Sequence, residues 1–167
     1  MLEATAAIGE PAIRADGIDC REITDLAIHA LATRTPPAHW PAPGTWCDHE
    51  AGRLARLGAD QCFMLRRGAG SVPAADGLHV SDQSDSWAVI GLSGERISVL
   101  LERLSMIDLE TAPARLATRT VMHHIPVILL RLAPQDLLLL TPRSTAGDFW
   151  CVLGEQIRAT AWFAPLA

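Results

Sequence analysis

The sequence predicts an α+β domain, a mostly antiparallel sheet with helices packed on it. Three observations carry that expectation. Residues 82–109, DQSDSWAVIGLSGERISVLLERLSMIDL, join a strand-like alternation to a strongly amphipathic helical stripe. Residues 125–144, IPVILLRLAPQDLLLLTPRS, are two apolar runs about a turn. From Val80 onward the elements run β-β-α-β-β-β-α, an order suited to helices against an antiparallel sheet.

Taken in order, residues 1–19 are expected to be a flexible or loosely docked arm, and residues 20–167 a single domain. No short repeat is visible, although residues 20–80 and 81–160 can also be read as two pseudo-repeated halves, the first with its helices eroded. Apolar positions alternate from Ile23 to Leu31, which predicts a strand. The run TPPAHWPAPGTW that follows holds Pro36, Pro37, Pro41 and Pro43, so neither helix nor ladder can form there. This loop is either a packed connector or a partner-facing segment, since Trp40 and Trp46 offer large apolar area at low entropy cost. Residues 46–56 are expected as one strand, LGADQ as a turn, residues 62–65 as its partner, GAGSVPAADG as a loop, and residues 78–80 as another strand.

The strand after residue 86 places Ala88, Ile90 and Leu92 on one face and Trp87, Val89 and Gly91 on the other. Ile97, Leu100, Leu101 and Leu104 then form the buried stripe of a helix. Ser93 is its candidate N-cap, with Glu95 in the first turn and Arg103 in the last. After a connector, residues 119–123 predict a strand. In the hairpin beyond it, Pro134 holds the second position of a type I turn. A second helix is predicted over 145–159, with Ser144 as cap, Asp148 near its start and Trp150, Leu153 and Ile157 facing inward beside Phe149. The tail leaves Trp162, Phe163 and Leu166 beyond it, to fold back or to bury in a partner.

Composition narrows the function classes. The 167 residues are 49% hydrophobic and 20% charged, ordinary for a folded domain, and the formal net charge is -5. That sign argues against sequence-independent nucleic-acid binding. All 14 basic residues are arginine, which removes Schiff-base and phosphate-loop lysine chemistry. The four cysteines show no CxxC spacing, so reduced thiols are expected rather than zinc or disulfides. The N-terminus lacks the pattern of a signal peptide, and no apolar run approaches the roughly 20 residues of a membrane span. A cytoplasmic protein with no membrane partner is expected.

A search for chemistry assembles no mechanism. GLSGE is not a nucleophile elbow, and GAGSVPAADG is neither a dinucleotide nor a Walker loop. His123 and His124, if in a strand, point to opposite faces. His29, His39 and His49 fall at wide spacings without an H-x-x-x-H. Asp82, Asp85 and Asp108 read as a metal or acid/base trio, or as Asx-turn and capping residues, and the second reading is favoured. Arg119, Arg131 and Arg143 lie at expected strand positions, where a buried guanidinium needs a carboxylate. They suit interfaces or structural ion pairs. The expected catalytic, cofactor-binding and metal residues on this chain are therefore none.

One ordered series does carry a resemblance. D-x-S-D-x-W-A-V-I-x-L-S-G-x-R, the helix, Ile107-Asp108-Leu109, then Thr118-Arg119-Thr120 and T-P-R-S at 141–144 together resemble the gamma subunit of heterotetrameric sarcosine oxidase. The match runs over roughly residues 21–158 and is weaker upstream, through REITDLAIHALATR and Gly58 to Gln61. Ser105-Met106 stand where that family often has Cys-Pro, and the connector TAPARLAT is shorter and lacks the usual Phe and Gly.

The resemblance implies a fold like the folate-binding domain of the glycine-cleavage T-protein. It also implies a complex with alpha, beta and delta subunits, in which FAD, FMN, NAD, tetrahydrofolate and zinc belong to the other chains. That complex demethylates sarcosine and passes the one-carbon unit to tetrahydrofolate. The gamma role implied is structural and non-catalytic, with Trp40, Trp46, Arg143, Trp162, Phe163 and Leu166 as expected partner contacts. The alternatives are the equivalent subunit of a related secondary-amine complex, such as N-methylglutamate dehydrogenase, or a free-standing folate-binding domain of the T-protein type.

Overall fold

The computed structural model describes residues 6–68, 70, 72 and 75–160. Among them are eleven strands: β1 (Ile13–Ala15), β2 (Ile18–Glu22), β3 (Leu26–Ala32), β4 (Trp46–His49), β5 (Gly52–Arg56), β6 (Gln61–Arg67), β7 (His79–Asp82), β8 (Trp87–Gly94), β9 (Ala117–Met122), β10 (Ile125–Ala133) and β11 (Asp136–Pro142). The helices are α1 (Ile97–Leu104) and α2 (Ala146–Thr160), the latter entered through a 3-10 turn, Arg143–Thr145. Sheet one has the order β1-β2-β8-β11-β10-β9 and sheet two the order β4-β5-β6-β3-β7. Every pairing is antiparallel, in agreement with the predicted class.

The layers follow from side-chain alternation. In β8, Ile90 and Leu92 turn toward the helices, while Val89 turns toward sheet two. The helix layer sets Ile97, Leu100, Leu101 and Leu104 of α1 and Phe149, Trp150, Leu153 and Ile157 of α2 against Leu129, Leu137 and Leu139. Those are the residues that helical periodicity picks out. Each fully buried Leu or Ile contributes about 1.5–3 kcal/mol. A domain is stable by only about 5–15 kcal/mol, so this one stripe is a large share of what fixes α1 in place. Between the sheets, Ile128, Leu130, Leu138 and Leu140 meet Ile28, Ala55, Phe63 and Leu65. On the far side of sheet two, Leu31, Leu54, Cys62 and Met64 form a small third cluster with Trp40.

Several sequence expectations are corrected. Residues 13–22, most of them assigned to the arm, form a hairpin at the edge of sheet one. Ala15 pairs with Ile18 across Asp16 and Gly17, both at positive φ (51° and 71°), the backbone of a type I′ turn. Ser93 is not a cap: β8 continues through Gly94, and Arg96 is the N-cap residue, with no side-chain cap bond. Glu95 consequently precedes the helix, while Arg103 does lie in its last turn. Gly94 takes φ +137°, and a Cβ there would run into the Gly17 carbonyl oxygen. Close packing of the β1–β2 turn thus carries the chain straight from strand to helix.

The segment 46–56 is two strands rather than one, with His49 paired to Gly52 across Glu50 and Ala51. The strand read over 23–31 begins only at Leu26, because Cys20 and its neighbours belong to β2 in the other sheet. His123 and His124 are not in a strand. They form the two-residue turn between Met122 and Ile125, at φ 49° and 70°. The Pro134 turn is as expected: Ala133 pairs with Asp136, and the register slips between Arg131 and Ala133. Ser144 sits inside the 3-10 turn that leads into α2.

Candidate functional site

The acidic trio resolves into local backbone chemistry. Ser84 donates both its amide N–H (3.0 Å) and its hydroxyl (2.7 Å) to Asp82 Oδ1. The Ile28 amide in turn donates to Ser84 Oγ (3.0 Å), tying β3 to the turn. The Ser84 bonds hold the Asp82 carboxyl below its usual range. Asp108 accepts from the Glu110 amide (2.8 Å) and from Thr111 Oγ1 (2.9 Å), and these bonds depress its carboxyl too. Asp85 lies exposed in a 3-10 turn, Ser84–Ser86. Asp82 and Asp108 are thus each taken up by their own neighbours in sequence, as the turn-and-cap reading holds.

The arginines find carbonyls and rings. Arg131 Nη1 donates to the carbonyls of Leu109 (2.8 Å) and Ala112 (3.1 Å), pinning the connector after α1 without the expected carboxylate. Arg119 lies over the Phe63 ring at 5.8 Å and reaches Gln61 Oε1 at 3.5 Å. Arg143 is half-buried in the turn before α2.

The two loop tryptophans expected to face a partner turn inward instead. Trp40 is 7% exposed and Trp46 5%. Trp46 opens β4, where its indole N–H donates to the Arg131 carbonyl (2.6 Å). Arg115 and Arg53 lie over its ring at 4.6 and 5.2 Å. Both also approach Asp48, at 3.1 and 3.7 Å. The apolar area that suggested a docking loop is consumed by the chain's own core. Trp162, Phe163 and Leu166 lie outside the described residues.

All four cysteines are free. Burial, with a smaller push from Asp19, raises the Cys20 thiol to about 12. Burial, reinforced by Cys47, raises Cys62 to about 12 as well. Both behave as small apolar core residues rather than nucleophiles. Among the described residues no group of three or more His, Cys, Asp or Glu is placed to hold a metal ion.

Of the concavities among the described residues, two are lined by residues of both sheets. One, of about 450 Å³, opens between Phe63 and His79 of sheet two, Trp87 and Arg119 of sheet one, and Gln83 in the turn that joins them. The larger, about 630 Å³, lies at the open end of the inter-sheet layer, where Arg21, Gly91, Ser93 and Asp136 of sheet one face Arg53 and Leu65 of sheet two. Sequence reasoning passed over it because its residues come from β2, β5, β6, β8 and β11, and only sheet pairing brings them together.

The sequence matches no family model and no curated protein. The fold, however, is similar to solved structures. A chain of the heterotetrameric sarcosine oxidase from Corynebacterium sp. U-96, solved in complex with pyrrole 2-carboxylate, aligns with a TM-score of 0.73 and 20% identity, covering 90% of this chain and 88% of that one. The glycine cleavage system aminomethyltransferase T from Bartonella henselae aligns with a TM-score of 0.58 and 10% identity, over 82% of this chain and 45% of that one. The α+β class read from the sequence holds, but as two antiparallel sheets rather than one, and this architecture is shared with a sarcosine oxidase chain and with part of the glycine-cleavage T-protein.

Proposed function

We propose that this chain is a gamma-type, non-catalytic subunit of a heterotetrameric, flavin-dependent sarcosine oxidase. The observation that carries this reading is the two-way coverage of the alignment, 90% of this chain against 88% of the sarcosine oxidase chain. The two chains are thus of nearly equal length, whereas the aminomethyltransferase is covered over only 45%. The ordered series of residues that resembles the gamma subunit falls on the scaffold itself. It runs along β8, α1, the Asp108 cap and β9, and ends on the turn into α2. In such a complex the alpha, beta and delta subunits carry FAD, FMN, NAD, tetrahydrofolate and zinc. This chain supplies a docking shape in the cytoplasm.

The test is co-expression with candidate alpha, beta and delta subunits. The expected result is a 1:1:1:1 complex whose flavin absorption co-migrates with this chain and whose yield collapses when the chain is omitted. Assaying that complex on sarcosine and on N-methylglutamate separates the sarcosine reading from its secondary-amine relative. A stable monomer that never joins the flavoprotein would overturn the proposal.

A further inference from the structure

The larger cleft has a construction that turn formation and core packing do not explain. Asp136 on β11 and Arg21 on β2 lie on the two strands that flank β8, and both face sheet two. Between them the floor is made of small residues: Arg21 is level with Gly91, and Asp136 with Ser93. Strands two positions apart are separated by about 9–10 Å, so β2 and β11 wall a trough of that width over Gly91 and Ser93. A Cβ on Gly91 would come within 3.0 Å of Ile23 Cδ1, so a larger residue there would disturb that wall. Arg53 reaches in from the opposite sheet, on the face that it shares with its neighbour Leu65.

The charges are arranged without being closed. Burial raises the Asp136 carboxyl, and Arg53 and Arg21 act on it in the opposite sense, yet neither arginine forms an ion pair with it. Arg53 approaches Asp48 at 3.7 Å and lies over the Trp46 ring at 5.2 Å. The lining of the cleft holds Arg21, Arg53, Arg66 and Arg67 with Asp48, Glu50 and Asp136, and Arg67 is paired outside it with Asp25 at 2.7 Å. Its volume of about 630 Å³ lies within the roughly 300–1,000 Å³ of small-molecule sites.

We infer that this cleft binds a small carboxylate bearing an adjacent hydrogen-bond donor, an α-hydroxy or α-amino acid. Arg21 and Arg53 take the carboxylate, and Asp136 accepts from the donor. Guanidinium groups match a carboxylate in charge and fork geometry. A desolvated carboxylate gains most from a ligand that brings it a donor. A simple anion would satisfy the arginines and leave Asp136 facing it with like charge, so the cleft selects for the second group. The inference goes beyond the assembly role and does not depend on it.

Titration calorimetry of the full chain with L-lactate, glycine and acetate tests it. Lactate and glycine should bind at least tenfold more tightly than acetate. Arg21→Gln and Arg53→Gln should each weaken lactate at least tenfold. Asp136→Ala, which removes the acceptor altogether, should bring lactate to the acetate level while leaving acetate unchanged or tighter. Arg21 is exposed and Arg53 and Asp136 only half-buried, so the variants should retain the wild-type melting transition, which is measured alongside. Equal affinity for lactate and acetate, or lactate binding insensitive to Arg21→Gln in a folded variant, would overturn the inference. So would the absence of heat from all three probes.

Discussion

The two sheets share one buried layer but differ in what covers their other faces. Sheet one is overlaid by two helices, so residues 127–130 and 137–140 are buried without interruption. Among the described residues, sheet two carries on its outer face a cluster of five buried residues, held by a proline-rich loop through Trp40. A strand buried on both sides loses its period-two signature and reads as a continuous apolar run. Sheet one is for this reason conspicuous in the sequence, whereas in sheet two only residues 62–65 of β6 form such a run. The same difference sets where the chain is hard to perturb, since a site walled by helices relaxes less after truncation than one closed by a loop.

The strongest way to break this comparison is a pair of truncations. Phe149→Ala, at a fully buried position under the helix layer, should cost about 3–5 kcal/mol in urea unfolding. Trp40→Ala removes a larger side chain from the third cluster, yet should fall at or below about 3 kcal/mol, because the loop can settle into the space. Equal losses for the two would mean that the loop belongs to the same rigid core and that the asymmetry is only apparent in composition.

A smaller effect tests the contact that joins the layers. Trp46→Phe keeps most of the ring between the sheets but removes the donor to the Arg131 carbonyl at 2.6 Å. An unsatisfied buried acceptor costs about 1–3 kcal/mol. The unfolding midpoint, followed by circular dichroism, should drop accordingly. An unchanged midpoint would show that the ring's packing, not its hydrogen bond, links sheet two to the β10 bulge.

These residues also show how far the sequence could be read. The stripe Ile97, Leu100, Leu101, Leu104 and the face Trp150, Leu153, Ile157 were legible because helical burial is one-sided. The turn at Pro134 was legible because proline fixes φ. The β1–β2 hairpin was missed although Asp16-Gly17 is a strong two-residue turn signal, because strands of three and five residues gave no run to frame it. The β4–β5 turn at Glu50-Ala51 carries no such signal at all. The tryptophans misled for a different reason. Density of proline marks a loop correctly, but says nothing of which side of the loop its aromatic residues take. The cleft was illegible in principle, since Arg21, Arg53 and Asp136 are neighbours only through strand order.

The smallest predicted effect lies at the edge of sheet one, where double-sided burial ends and Val121 is 57% exposed. His123 and His124 close that edge hairpin at φ 49° and 70°, values that cost a side chain with a Cβ. Replacing them with the pair His123→Asn and His124→Gly suits a type I′ turn and should raise stability by about 1 kcal/mol or less. The control is the neighbouring hairpin of the same sheet, where Gln135 follows Pro134 and has no positive φ. Gln135→Gly there relieves nothing and loosens the unfolded chain, so it should cost about 0.5–1 kcal/mol. Opposite signs from two glycines in adjacent turns, read as shifts in melting temperature, would separate backbone strain from burial at this edge. Matching signs would mean that the edge turn is held by contacts of the histidine rings, whose centroids lie 5.8 Å apart, rather than strained by its backbone.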